Sequence, residues 1–365
     1  MIKKTAADHA RRHLTKWALP AVGIALVATA TTACGSSSDA TASLPSTMSS
    51  LVKQAKAEGQ VNWSSPKALD QMQPVIDLFE KKYPGIKVKY STTLGPDQVN
   101  QIKAEQAARK VTIDVANAGG LTVVPSSSLA ASINWSQYGV DKPDVFDKNF
   151  VYIWAGPKVW AYNTKELSQS EVPTSWEALL DPRWGHGKVA ADSAGAFMTV
   201  WASAPGMGAE KADAWAKQFA KQQPHFATGV NQTHTLVESG QTEIGASLMN
   251  LLMTAQQKGA PLALAPISPA TTNEGYMYVP QGAPHPAAAV LLTSFLSSAE
   301  GQAALAEKYN SRIPLTTDCS DQSNAVVHEL CAAGVKWYPV GSTENYQHLP
   351  TFFSDVTKSL GTDVN

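Results

Sequence analysis

An α/β fold is predicted by three observations between residues 61 and 90. Phe79-Glu80-Lys81-Lys82-Tyr83-Pro84-Gly85-Ile86-Lys87-Val88-Lys89-Tyr90 reads as a helix end, a forced stop at Pro84-Gly85 and a strand start. Upstream, Leu69, Met72, Val75, Ile76 and Phe79 recur at helical spacing. Ser65 is placed as N-cap and Pro66 as first helical residue, with Pro74 marking a kink or a later start. Val61-Asn62-Trp63 reads as a short strand. Strand, Ser64-Ser65 turn, helix and strand in that order make a right-handed βαβ unit. Its turn lies at the carboxyl edge of the sheet, where open α/β sheets bind ligands.

The chain ahead of this unit reads as export machinery. Lys3, Lys4, Arg11, Arg12 and Lys16 precede an apolar stretch from Trp17 to about Ala30, and Thr31-Thr32-Ala33-Cys34-Gly35 closes it with small residues. Residues 1–33 are therefore an export signal, and a small residue before Cys34 with glycine after it suggests a lipoprotein signal whose cysteine becomes lipidated. Thr31 stands where such signals usually carry leucine, and cleavage near Ala33 with a free Cys34 is the alternative. Arg11-Arg12-His13-Leu14 also resembles a twin-arginine signal, so the export route stays open. The apolar run is short of the roughly 20 residues a membrane span needs. Residues 34–49 hold the cysteine and a Ser/Thr/Ala-rich tether.

Composition narrows the function classes. The chain has 29 Lys+Arg and 30 Asp+Glu; five basic residues and one acid lie in the signal, leaving 24 against 29, a net of −5. No basic run tracks a phosphate backbone, so no nucleic-acid partner is expected. Cys319 and Cys331 are the remaining cysteines of an exported chain and are expected to pair as a disulfide, with two buried free thiols as the alternative. No Cys-x-x-Cys and no His/Cys cluster at zinc spacing is present, and no metal or cofactor is expected. There is no Gly-x-Ser-x-Gly elbow, Walker loop or His-Glu-x-x-His, so an enzyme is not expected.

The remaining elements follow in order. Residues 49–58 and 98–109 read as helices, and Thr112-Ile113-Asp114-Val115 as a strand ending in Asn117-Ala118-Gly119-Gly120, a second turn beside the first. Val151-Tyr152-Ile153-Trp154 and Val159-Trp160-Ala161-Tyr162 read as extended passage from one lobe to another. Thr174 or Ser175 caps a short helix through Leu180. Lys188-Val189-Ala190-Ala191 is a strand entering Asp192-Ser193-Ala194-Gly195-Ala196 and a helix through Trp201, a small-residue turn at a helix start that suits an anion. Helices at 210–221, 233–239, 287–297 and 299–308, with strands at 244–249 and 262–266, complete the pattern. Trp63, Trp154 and Trp160 either wall a pocket or pack in a core.

Several runs together resemble the substrate-binding lipoproteins of bacterial ABC importers, in the iron(III)-type branch of the type II periplasmic-binding-protein fold. They are Ala55-to-Val61, Phe79-to-Val88, Ile113-Asp114-Val115, Tyr162-Asn163-Thr164, Pro173-to-Glu177 with Asp181-Pro182-Arg183-Trp184, Val237-Glu238-Ser239-Gly240, and His285-Pro286 leading to Ser297-to-Gln302. They lie in the family's order over residues 50–310. The resemblance implies two α/β lobes joined by hinge strands, with a ligand cleft between them. Residues 50–154 plus 266–318 are assigned to the first lobe, and 155–265 plus 319–365 to the second.

Carried over one residue at a time, Pro66 stands where iron binders place a histidine, Gly119 where they place a glutamate, and Asn250-Leu251 where they place a tyrosine pair. A ferric ion needs oxygen anions that these residues lack. The family's anion-holding turn is matched by Ser193-Ala194-Gly195-Ala196-Phe197 and its asparagine by Asn231. The implied function is the extracytoplasmic binding component of an ABC importer, anchored to the membrane through Cys34. It captures a small anionic solute such as a phosphonate, phosphate ester or carboxylate, and delivers it as a monomer to the permease and its ATPase. The expected ligand-binding residues are Ser64, Ser65, Gly119, Gly120, Ser193, Ala194, Gly195, Ala196, Asn231 and Asn250. Ser65 and Asn231 alternatively serve only as caps. Iron(III) or polyamine transport, and a surface sensor presenting its ligand, are the other readings.

Overall fold

A computed structural model describes residues 44–363. The export signal, Cys34 and the tether through residue 43 lie outside the described residues. The last tether residues are already fixed: Leu44 packs on the first core, and the Tyr138 hydroxyl donates to the Pro45 carbonyl at 2.8 Å. The fold thus begins ahead of residue 50.

Along the chain come α1 (Met48–Glu58), β1 (Gln60–Ser65), α2 (Leu69–Lys82), β2 (Lys87–Thr92), α3 (Gly95–Ala107), β3 (Ala116–Ala118), α4 (Val123–Ser127), β4 (Val145–Phe146) and β5 (Phe150–Ala155). β1 and β2 are parallel, in register from Gln60↔Lys87 to Ser65↔Thr92. Ser65 therefore ends a strand instead of capping α2, whose N-cap is Ala68 with no side-chain bond. The reason is local: a residue before proline is pushed toward extended backbone, and Pro66 follows. α2 runs through Pro74 unbroken. The strand read at 112–115 begins instead at Ala116. Asp114, fully buried, turns its carboxylate onto the amides of Asn62 and His285 at 2.7 and 2.6 Å, which ties this segment to β1 and the return segment.

The chain then builds β6 (Lys158–Asn163), β7 (Val189–Asp192), α5 (Ala209–Lys221), β8 (His225–Ala227), α6 (Val230–Glu238), β9 (Ile244–Leu248), α7 (Met249–Gln257), β10 (Leu262–Ala265) and β11 (Ala270–Thr271). It returns through β12 (Glu274–Tyr278), α8 (Pro286–Ser297) and α9 (Ala299–Ala306), and ends with α10 (Ala325–Ala332), β13 (Trp337–Tyr338) and α11 (Thr343–Leu360). The first lobe holds the β1-β2 pair and a β3-β12-β5-β4 sheet, joined where Trp63 bridges Val115. The second holds a seven-stranded sheet ordered β13-β11-β6-β9-β7-β8, with β10 also on β6.

Each lobe has a core of its own, and a third cluster runs across both, joining Ile102 and Tyr276 to Ala161 and Leu252. Every side chain from Ala287 to Ser297 is buried, so α8 forms the centre of the first lobe, as an apolar helix must. The second packs Trp176, Phe197, Trp201, Trp215 and Phe219 edge-to-face and stacked around Phe197 and Trp215. Cys319 and Cys331 are joined as a disulfide. The chain crosses between lobes at Gly156-Pro157, where β5 ends and β6 begins, and again at Thr272-Asn273, between β11 and β12. Ala270 and Thr271 belong by pairing to the second sheet, so this crossing lies beyond the 265/266 boundary read from the sequence. A third passes Ile313-Pro314, whose carbonyls accept from Tyr152 in the first lobe and Trp337 in the second.

Candidate ligand cleft

Strand ends from both sheets converge on a cavity of about 600 Å³. The first lobe contributes Pro66 and Lys67 after β1, Gly119 and Gly120 after β3, and Trp154 on β5. The second contributes Lys158 on β6, Ala196 and Thr199 after β7, Asn231 on α6, and Asn250 and Leu251 at the start of α7. Asn273 and Glu274 enter from the second crossing, and Leu349 and Phe353 from α11. Trp63 and Trp160 lie in the cores; Trp154 belongs to the first core and also walls the cavity.

Of the residues expected from the sequence, Gly119, Gly120, Ala196, Asn231 and Asn250 meet in this cavity. At Gly119 a Cβ would sit 2.9 Å from the Glu274 carbonyl oxygen, so only glycine admits that close approach. Ser64 and Ser65 do not line it. Both are buried, and Gln98 Nε2 donates to the carbonyl and hydroxyl of Ser64 at 2.8 and 2.9 Å. Their side chains are used up inside β1 because the strand runs two residues further than expected.

Ser193, Ala194 and Gly195 also lie off the cavity. Thr362 donates its hydroxyl to the Ser193 carbonyl at 2.7 Å, and a Cβ on Gly195, at φ +69°, would lie 2.7 Å from Val356 Cγ1. The turn therefore sits beneath α11. The amides of the following helical turn are filled as well: Asp192 accepts Ala196 N–H on Oδ1 at 2.8 Å and Phe197 N–H on Oδ2 at 2.9 Å. The chain supplies its own anion there.

Sequence reasoning missed the charged groups of the cleft. Lys67 donates to Asn310 Oδ1 at 2.9 Å and lies 5.8 Å from the Trp154 ring centroid. Lys158 donates to the Ala196 carbonyl and Thr199 Oγ1 at 2.9 and 2.8 Å. Desolvation lowers both ammonium pKa values to about 8; for Lys158, Asp192 and Glu274 work against that shift. Glu274 is 3% exposed, and burial raises its carboxyl to about 7. Its Oε2 accepts the Tyr346 hydroxyl at 3.1 Å. Lys67 had a local signal, one residue past the Ser-Ser-Pro turn; Lys158 and Glu274 had none beyond lying near crossings.

Two lobes joined by crossing strands, with a cavity at the joint whose walls carry Lys67, Lys158, Glu274 and several amides, form a hinged binding device. Residues 75–332 match the family described as bacterial extracellular solute-binding proteins. The chain belongs to that family. Among solved structures, this solute-binding protein is similar to iron-bound HitA from Pseudomonas aeruginosa, with 20% identity and a TM-score of 0.65 over 83% of this chain and 99% of the other. It is similar to an ABC-transporter substrate-binding protein from Agrobacterium tumefaciens, with 16% identity and a TM-score of 0.67 over 81% and 94%. AgtB of A. tumefaciens R10, solved with agropinic acid, gives 19% identity and a TM-score of 0.61 over 83% and 99%. These likenesses establish the two-lobed type II periplasmic-binding-protein fold. No curated protein matches the sequence. Family and fold are those of extracytoplasmic solute-binding proteins and not of enzymes. Among the described residues no helix is long and apolar enough to cross a membrane.

Proposed function

We propose that this solute-binding protein serves an ABC importer, capturing a small anionic solute between its lobes and passing it to the permease and its ATPase. The carrying observation is the pair Lys67 and Lys158, one ammonium from each lobe in one cavity, against a single lining carboxylate, Glu274, that holds its proton to about pH 7. Such a wall suits a phosphonate, phosphate ester or carboxylate; a ferric ion or polyamine calls for several carboxylates or phenolates. AgtB, of similar fold, is solved with agropinic acid, an organic acid, which supports the reading. Gly119, Gly120, Asn231 and Asn250 supply the remaining polar wall. Contacts from both lobes favour the closed state, so ligand closes the hinge at Gly156-Pro157 and Thr272-Asn273. Lipidation of Cys34 would hold the domain near its permease.

A thermal-shift panel on the mature chain tests this, using phosphate, alkyl- and aminoalkylphosphonates, phosphate esters, di- and tricarboxylates, polyamines and chelated iron. A ligand at 100 times its Kd adds about 2.7 kcal/mol. Stabilisation by an anion class that Lys67→Met reduces at least about tenfold in affinity supports the reading. Stabilisation by polyamine or iron alone overturns it.

A further inference from the structure

We propose that the solute's anionic group docks on the open start of α7 beside Lys67, and that a hydroxyl or amine next to that group is read by Asn250. The inference rests on the anionic reading above and names where the anion sits and what must flank it. α7 spans nine residues and opens onto the cavity at Leu248, Asn250 and Leu251. Its N-cap, Leu248, makes no side-chain bond, and no acid stands in its first turn. Met249 N–H goes to the Pro157 carbonyl, so the next amides are left to an outside acceptor. The helical turn after β7 differs, because Asp192 fills it.

The second observation is Asn250 itself. It is 3% exposed, lines the cavity, and its Oδ1 has no hydrogen-bond partner. Its Nδ2 makes only a long 3.5 Å contact with Asn310 Oδ1, the oxygen that already accepts Lys67 Nζ at 2.9 Å. Two donors thus converge on one buried neutral oxygen, and one acceptor is left unserved. An incoming anion relieves the donors. The acceptor needs a proton on the solute, because a buried amide oxygen without a donor is costly. The substrate class is an acid bearing a hydroxyl or amine within one or two carbons of its anionic group. A site built to accept such a proton rejects the analogue that lacks it.

The test is calorimetric titration of the mature chain with matched probes: lactate against propionate, hydroxymethylphosphonate against methylphosphonate, and 2-aminoethylphosphonate against ethylphosphonate. The donor-bearing member of at least one pair is expected to bind about tenfold or more tightly. Asn250→Leu should bring that ratio near one, whatever it does to the absolute affinity of either member. The wild-type ratio needs no variant, so misfolding of Asn250→Leu cannot mask the result, and Asn250→Ser, which keeps a side-chain oxygen, should retain part of it. Equal binding of all pairs, or a ratio unchanged in Asn250→Leu, overturns this inference and leaves the anionic reading standing. Binding of polyamine or iron with no anion bound overturns both.

Discussion

The Tyr346 hydroxyl lies 3.1 Å from Oε2 of Glu274, binding the C-terminal helix to the first residue past a lobe crossing. The Tyr346 ring also packs against Phe146 and Tyr276 of the first lobe, at centroid distances of 5.5 and 6.4 Å. Further along α11, Phe352, Val356 and Leu360 enter the second core. One helix therefore spans both lobes beside the cavity, and it meets the hinge through a buried acid.

That acid makes stability depend on pH. The Glu274 carboxyl keeps its proton to about 7 in the fold, whereas an unfolded glutamate loses it near about 4.3. The protonated form is the one the fold favours, so the stabilisation is complete below about pH 4.3 and is lost as pH rises through about 7. The loss is on the order of 4 kcal/mol as an upper bound. Glu274→Gln, neutral throughout, should gain stability over the wild type at pH 8 and flatten the profile between pH 5 and 7. Denaturant unfolding at both pH values checks this; parallel profiles for the two proteins would exclude it.

Removing the partner tests the joint. Tyr346→Phe keeps the ring packing and deletes the donor to Glu274, and should cost about 1–3 kcal/mol. In the Glu274→Gln background the cost should shrink, because the neutral amide can turn its own donor group outward. A double-mutant cycle measures the coupling, and additive effects would show that the hydroxyl does not act through Glu274.

Asp192→Ala removes the internal acceptor of the Ala196 and Phe197 amides. It should cost about 1–2 kcal/mol, the range of a lost helix cap. The variant should also recover part of that loss in sulfate or phosphate, beyond any gain seen in the wild type. Equal salt responses of the variant and the wild type would mean that α11 alone seals the turn.

Gly195→Ala places a methyl at φ +69° and 2.7 Å from Val356 Cγ1. The left-handed backbone costs about 1–2 kcal/mol, and the contact adds to it. Val356→Ala in the same chain should return the contact share and leave the backbone share. No recovery would indicate that the turn moves away from α11.

Anion affinity should fall as pH rises past about 8, where Lys67 and Lys158 give up their protons. Each lysine that must be charged to bind contributes up to about tenfold per pH unit. Lys67→Met should remove one such step. A titration flat from pH 7 to 10 would show that neither ammonium holds the solute.

Much of the fold was legible because its causes are local. The apolar period of Leu69 to Phe79 and the stop at Pro84-Gly85 are set by neighbouring residues, and α2 and β2 follow them. α11 has local causes too: Ser342 caps it by accepting Asn345 N–H, Gly361 closes it at φ +69°, and Tyr346, Leu349, Phe352, Val356 and Leu360 fall at helical spacing. Gly119 is marked by the glycine-rich turn that closes a strand, whereas Asn231 and Asn250 come from the resemblance to iron binders.

By itself the sequence determined the α/β elements, their order, and which turns lie at the carboxyl edges of the strands, since propensity, capping and proline geometry act within a few residues. Tertiary structure alone decided that Asp192 fills the helical turn beside it, that α11 covers the Ser193–Gly195 turn, and that Lys67, Lys158 and Glu274 share one cavity. Those outcomes depend on which distant segments meet and on how much water they exclude. Burial, set in part by residues more than two hundred positions away, as Asn310 is from Lys67, turns an ordinary lysine or glutamate into a group that titrates near neutrality.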